Sequence, residues 1–141
     1  KILKRYLQQK FLQMVLPKHM RLKGHRCFDF IYKEGARFHS PSMVLRVTNA
    51  NKKLQFKGIN SKIMPSIKCA LSISNKVSKK SVTRNKLRRL FHQHLSHRLS
   101  KMAPVDEVWA FISLKPSCME ISYSTLLKEC DKLLIKAGIT K

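Results

Sequence analysis

From Lys68 to Asn75 the side chains alternate without a break. Cys69, Leu71 and Ile73 fall on one side and Ala70, Ser72 and Ser74 on the other, the period of two expected of a β-strand. Met43–Thr48 alternates in the same way, with Met43, Leu45 and Val47 opposed to Val44, Arg46 and Thr48. Glu107–Leu114 is apolar on both sides, with Val108, Ala110 and Ile112 against Trp109 and Phe111; this places it at the centre of a sheet. A shorter strand is expected near Arg37–His39, closed by Pro41.

Elsewhere the apolar positions recur at helical spacing. His25–Glu34 carries Phe28, Ile31 and Tyr32 at i, i+3 and i+4, and Gly35 suits a left-handed residue just past the end. Val82–Leu99 gathers Leu87, Leu90, Phe91 and Leu95 on one arc. Ala103-Pro104 ends that helix and Lys115-Pro116 ends the following strand. Ser124–Ala137 has a core stripe of Leu126, Leu127, Cys130, Leu133, Leu134 and Ala137, with Gly138 as its stop; it should cover one face of the sheet.

These elements read as an α+β fold, a small mixed sheet packed with helices in αβββαβα order. At 141 residues the chain makes a single domain, residues 16–141, behind a basic N-terminal extension, residues 1–15. Ile2, Leu3, Tyr6, Leu7 and Phe11 would suit a short amphipathic helix in that extension, but a frayed segment is the simpler expectation. Leu16–Lys23 reads as a basic extended arm, separated by Pro17 from anything helical before it. Residues 49–67 form a long connection in which Leu54–Lys57 could extend a hairpin.

Charge changes this picture. Thirty Lys and Arg stand against seven Asp and Glu, a formal net charge of +23, while the 43% hydrophobic content still supplies an ordinary core. A domain this basic points to nucleic acid or an anionic membrane surface. No apolar run is long enough to span a bilayer, and no signal peptide is evident, so a cytoplasmic protein without a membrane partner is expected. Between Glu34 and Asp106 there is no acid at all, yet sixteen Lys and Arg fall there.

The basic residues concentrate in Ser72–His92. A strand end leads through Lys76, Lys79 and Lys80 into a helix whose first turns hold Arg84, Lys86, Arg88 and Arg89. Asn85, Arg88, Arg89, His92 and Ser96 share the arc opposite the apolar one, with Arg84 at its margin. A merely solvated helix face normally mixes both signs. Arg and Lys on consecutive turns can instead meet successive phosphates, and Asn85 offers both a donor and an acceptor. On the first helix, Phe28 and Tyr32 are either core residues or rings on which a base could stack.

Candidate chemistry is sparse. There is no Gly-rich phosphate loop, no nucleophile elbow and no carboxylates paired on one face of a single element. A protein-only metal-dependent nuclease would want acids in the basic middle, so no catalytic residue is assigned. His92, His94 and His97 diverge around their helix with no Cys or carboxylate near in sequence, so no metal site is assigned either. Cys27, Cys69, Cys118 and Cys130 lack any Cys-x-x-Cys spacing and each sits in an apolar pattern, as buried reduced thiols do.

Ser74-Asn75-Lys76-Val77 followed by Val82-Thr83-Arg84-Asn85-Lys86-Leu87-Arg88-Arg89-Leu90 resembles the signature of the protein subunit of bacterial ribonuclease P. Arg21-Leu22-Lys23 with Phe28, Tyr32 and Gly35, then Val44–Val47, Val108–Leu114 and Ser124–Gly138, fall in that family's order, so the likeness spans roughly residues 16 to 140. The resemblance implies a left-handed βαβ crossover, an exception to the usual rule. It also implies an endoribonuclease that works as a ribonucleoprotein, in which a catalytic RNA removes the 5′ leader from precursor tRNA. Mg2+ would be bound mainly by that RNA and not tightly by the protein.

Carried over by position, Arg84, Asn85, Lys86, Arg88, Arg89 and His92, with Lys76, Lys79 and Lys80, would contact RNA. Phe28, Tyr32 and Arg46 would line a groove for the single-stranded leader. The implied partners are the catalytic RNA and the precursor tRNA leader, with no obligate protein partner. Asn75 stands where the family usually has Lys, His92 where Arg is common, and the turn from Val77 to Arg84 lacks its usual Gly. The alternative is a basic RNA-binding module of another ribonucleoprotein, such as a ribosomal protein.

Overall fold

The computed structural model describes residues 20–22, 24–50, 67–100, 102 and 107–140. The expectations for residues 1–13, for most of the Leu16–Lys23 arm, for the Leu54–Lys57 hairpin and for Ala103-Pro104 lie outside them. The described chain runs α1 (His25–Glu34), β1 (Ala36–His39), β2 (Met43–Asn49), β3 (Ile67–Ser72), α2 (Ser81–Leu99), β4 (Val108–Leu114) and α3 (Tyr123–Lys136). This is the αβββαβα order that the hydrophobic pattern predicts. Pro116, a strand terminator in the sequence, also opens a short 3-10 helix, Pro116–Glu120, that leads into α3.

The four strands form one sheet in the order β1-β2-β4-β3. β2 is antiparallel to both β1 and β4, whereas β3 and β4 are parallel. A parallel pair needs a long crossover, and α2 lies within it. β4 has a neighbour at each edge, and its two apolar faces are each covered by a core cluster. At the far side of β3, Arg21 bridges Cys69 and the Leu22 N–H donates to the Cys69 carbonyl at 2.9 Å. The basic arm therefore ends as a short extra rung on the β3 edge.

The period of two sorts the side chains into two cores. On one face, Met43, Leu45, Cys69, Ala110 and Ile112 pack with Leu87, Phe91, Leu95 and Leu99 of α2 and with Leu126, Cys130, Leu133 and Leu134 of α3. On the other, Trp109 and Phe111 pack with Leu22, Cys27 and Ile31, flanked by Phe28, Phe30 and Ala70. The sheet is thus covered by α2 and α3 on one side and by α1 on the other. The small Ala70 leaves room for α1 to come close. All four cysteines are buried free thiols. Burial pushes Cys69 and Cys130 up to about 12, so neither is a nucleophile at neutral pH.

Three local expectations need correction. β3 stops at Ser72, not Asn75, because its partner β4 gives out at Leu114 and the last cross-strand pair is Ser72 with Ser113. Leu90 lies on the flank of α2 and is only partly buried, while Leu99 completes the buried arc. Gly35 is extended (φ −72°, ψ 140°), not left-handed. Space explains the glycine there: a Cβ would lie 2.5 Å from the Ile31 carbonyl oxygen, the same oxygen that accepts the Gly35 N–H at 2.9 Å.

Two carboxylates fasten α3. Glu129 accepts from Ser40 Oγ at 3.0 Å and from the buried Ser42 hydroxyl, tying the helix to the β1–β2 turn. Asp131 accepts from His94 Nε2 and Arg98 Nη2 of α2, each at 2.7 Å. Burial alone would raise the Asp131 carboxyl, but the hydrogen bonds from Arg98 and His94 outweigh it and hold it below the usual carboxylate range. Asp131→Asn should therefore lower stability by about 1–2 kcal/mol, read by denaturant unfolding at neutral pH. With a depressed folded pKa, the contribution is present above the unfolded value of about 3.9 and fades as pH falls through the folded one. Below that range, wild type and variant should converge.

Candidate nucleic-acid interface

The turn between β3 and α2 is built around a buried apolar residue that the sequence pattern does not mark. Val77 is 6% exposed and packs into the α2–α3 side of the core. Its N–H donates to the Ser74 carbonyl at 3.0 Å, and the Lys76 and Lys80 N–H groups donate to the hydroxyls of Ser74 and Ser78. Anchored at Val77 and braced by serine hydroxyls, the turn presents Lys76, Lys79 and Lys80 to solvent.

α2 then starts with no side-chain cap and no acid in its first turn. Asn85, Lys86 and Arg89 are exposed, while Arg84, Arg88 and His92 are partly buried. The cationic arc is not uniform. Arg84 Nη1 donates to the Ser78 carbonyl at 2.8 Å, so this guanidinium also holds the turn. Arg88 leans on the Asn85 side-chain oxygen at 3.4 Å. On the opposite flank, the Lys86 ammonium lies 5.6 Å from the Tyr123 ring centroid. None of the three ion pairs among the described residues involves any of these cations; those pairs are Lys68–Glu107, His94–Asp131 and Arg98–Asp131.

His92 is held below its usual pKa by burial first and then by the charges of Arg88 and Arg21. Arg21 thus joins the arc from outside the helix. Sequence spacing could not place it there, because it arrives only through its bridge to Cys69 across the sheet edge.

The second surface lies on the α1 side. Phe28 and Tyr32 both meet Phe111, with ring centroids 5.5 and 5.6 Å apart. The Arg46 guanidinium carbon sits 4.2 Å from the Tyr32 centroid. Phe28 is partly buried, so it serves both core and surface, while Tyr32 is 49% exposed. Arg46, Phe111 and Ala70 form one cross-strand row, and Val44, Ser113 and Ser72 form the next. The floor beside α1 is therefore small or flat and is flanked by two rings and a guanidinium. Phe111, itself buried, is the ring against which Phe28 and Tyr32 are set. In sequence it reads only as a core residue of the central strand. Phe28, Tyr32 and Arg46, drawn from α1 and β2, come together here.

Among the described residues, no group of three or more His, Cys, Asp or Glu could hold a metal ion. No helix there is long and apolar enough to cross a membrane. What the two surfaces offer is positive charge, donors and exposed rings.

Residues 16–138 match the sequence model of the family Ribonuclease P. The chain is 82% identical over 128 residues to the "Ribonuclease P protein component" of Prochlorococcus marinus strain NATL1A, covering 91% of this chain and 100% of that one. It is 48% identical over 126 residues to the protein of the same name from strain MIT 9313, covering 89% and 98%. An RNase P protein mutant of Staphylococcus aureus, described as defective in mRNA degradation activity, superposes with a TM-score of 0.70 at 19% identity, covering 94% and 96%. The RNase P protein of Thermotoga maritima does so at 0.60 and 19% identity, covering 81% and 94%. At that identity the structures speak for the fold, and the sequence matches speak for the family. Of the two RNA-binding readings of the sequence, these relatives support ribonuclease P. The chain belongs to the ribonuclease P protein family, the protein component of a ribonucleoprotein endoribonuclease.

Proposed function

We propose that this chain binds a catalytic RNA through the β3–α2 turn and the cationic arc of α2, and the single-stranded 5′ leader of precursor tRNA through the α1 groove. The observation that carries this reading is the pairing of two unlike surfaces on one fold. One is a run of cations outside the described ion pairs, suited to a folded polyanion. The other is a shallow aromatic strip with a stacked arginine, suited to unpaired bases. The protein positions RNA and contributes no catalytic side chain. Divalent-ion chemistry is assigned to the RNA, since the protein's described carboxylates are dispersed and Asp131 and Glu129 are engaged in holding α3. The setting is the cytoplasm.

The test is reconstitution with the cognate catalytic RNA and precursor tRNA at low Mg2+. Leader removal should be faster than with the RNA alone, and affinity should be higher for leader-bearing than for mature tRNA. No gain in rate would overturn the proposal, and equal affinities would overturn its groove half.

His92 adds a pH prediction. In the free protein its pKa lies below about 6.5, whereas a phosphate beside it would favour the imidazolium. Binding then takes up a proton, so RNA affinity should tighten as pH falls from about 7.5 to about 5.5. The free fold goes the other way: it holds fewer protons than the unfolded chain below pH ~6.5, so its own stability declines there. His92→Gln should remove this part of the pH dependence. An unchanged profile in the variant would place His92 away from the phosphates.

A further inference from the structure

The sheet face that carries the groove does not end at Arg46. β1 is the edge strand beside β2, and Phe38 packs into the core on the α2–α3 side. By alternation, Arg37 and His39 lie on the α1 side. The register sets Arg37 directly opposite Arg46, and His39 opposite Val44. Two like charges facing each other across a pair of strands are destabilising. Neither arginine enters any of the three ion pairs among the described residues. Arg46 Nε is buried with no hydrogen-bond partner. Its guanidinium carbon lies against the Tyr32 ring, which fixes the group and leaves its donors in the guanidinium plane.

A cation pair kept in register at a sheet edge, with one member clamped on an aromatic ring, suits an anion that bridges both. We propose that Arg37 and Arg46 form a two-arginine phosphate clamp, which carries the leader out of the groove and across the β1 edge, making Arg37 a leader-binding residue one strand beyond the groove. The ligand is a phosphodiester of single-stranded RNA. A free anion would satisfy the two charges but would not use the exposed Tyr32 ring or the strip that leads to it. This inference rests on the groove reading above and extends it by one strand.

The experiment uses the reconstituted holoenzyme and a series of precursor tRNAs with leaders lengthened one nucleotide at a time, comparing wild type, Arg37→Gln and Arg37→Lys. With wild type, affinity should climb with leader length and gain a further step once the chain reaches β1. Arg37→Gln should erase that last step, a loss on the order of tenfold near 0.1 M salt, and should flatten the salt slope by about 0.7 for long leaders. Arg37→Lys should keep most of the slope. Arg37 is exposed, so the thermal melt of Arg37→Lys should match wild type, and that of Arg37→Gln should be equal or slightly higher, since it removes the facing like charge.

A loss that is equal at every leader length, or none at any length, would overturn the clamp. If wild type itself shows no rise with leader length, the groove reading falls and the clamp falls with it. Those outcomes differ, because the first leaves the wild-type length dependence intact.

Discussion

Replacing Arg88 and Arg89 together by Gln should weaken binding of the catalytic RNA by one to two orders of magnitude while leaving the fold in place. Each phosphate contact contributes about 0.7–0.9 to the slope of log affinity against log salt, so losing two across the decade from 1 M to 0.1 M removes roughly 30-fold or more. The slope should fall by about 1.4–1.8, and binding at high salt should change little. Stability should move by no more than about 0.5 kcal/mol, since neither side chain lies in either core. The measurements are a salt titration of RNA affinity and a thermal melt on the same sample. An unchanged slope would return both arginines to a solvated face. Arg84 makes a poorer probe: its guanidinium also donates to the Ser78 carbonyl, so its removal would loosen the turn as well as subtract a charge.

The opposite arc of the same helix should behave in the opposite way. Phe91 is fully buried, packed where α2 meets the sheet and α3. Phe91→Ala should cost about 3–5 kcal/mol, the transfer free energy of the ring plus the cavity it leaves. For a domain of this size that is a large part of total stability. RNA affinity should fall only as far as the folded population falls, and the salt slope of the folded fraction should stay near that of wild type. Denaturant unfolding followed beside RNA titration separates the two effects. A flattened slope in Phe91→Ala would mean that the cationic arc is displaced even in molecules that remain folded.

Together the two variants test whether α2 divides its labour by face. Leu87, Phe91, Leu95 and Leu99 hold the helix to the sheet, so Arg88, Arg89 and Asn85 are free to meet a partner. The β3–α2 turn extends this division, with Val77 buried below and Lys76, Lys79 and Lys80 exposed above. The α1 groove is less cleanly separated. Phe28 belongs both to the surface and to the cluster around Trp109 and Phe111, so Phe28→Ala would mix lost stacking with lost core. Tyr32, half exposed and stacked on Arg46, is the better place to probe base stacking.

By itself, the sequence determined the elements, their order, the faces of the strands and the polarity of α2. Those properties are local: strand alternation and helical periodicity act over a few residues, and a helix without acids shows its charge in any fold. The ribonuclease P likeness was legible for a related reason, since its signature is carried by consecutive residues around Arg84-Asn85-Lys86. Tertiary structure alone decided which distant residues meet. Strand order put β4 between β2 and β3, and this row of neighbours carried Arg46 to Phe111 and, through α1, to Tyr32. A rung on the β3 edge brought Arg21 to His92, and antiparallel register set Arg37 against Arg46. The end of β3 and the reason for Gly35 belong to the same class, because one depends on where β4 stops and the other on a carbonyl four residues back in a formed helix. Contacts of that kind arise from chain closure and packing, which no local period encodes.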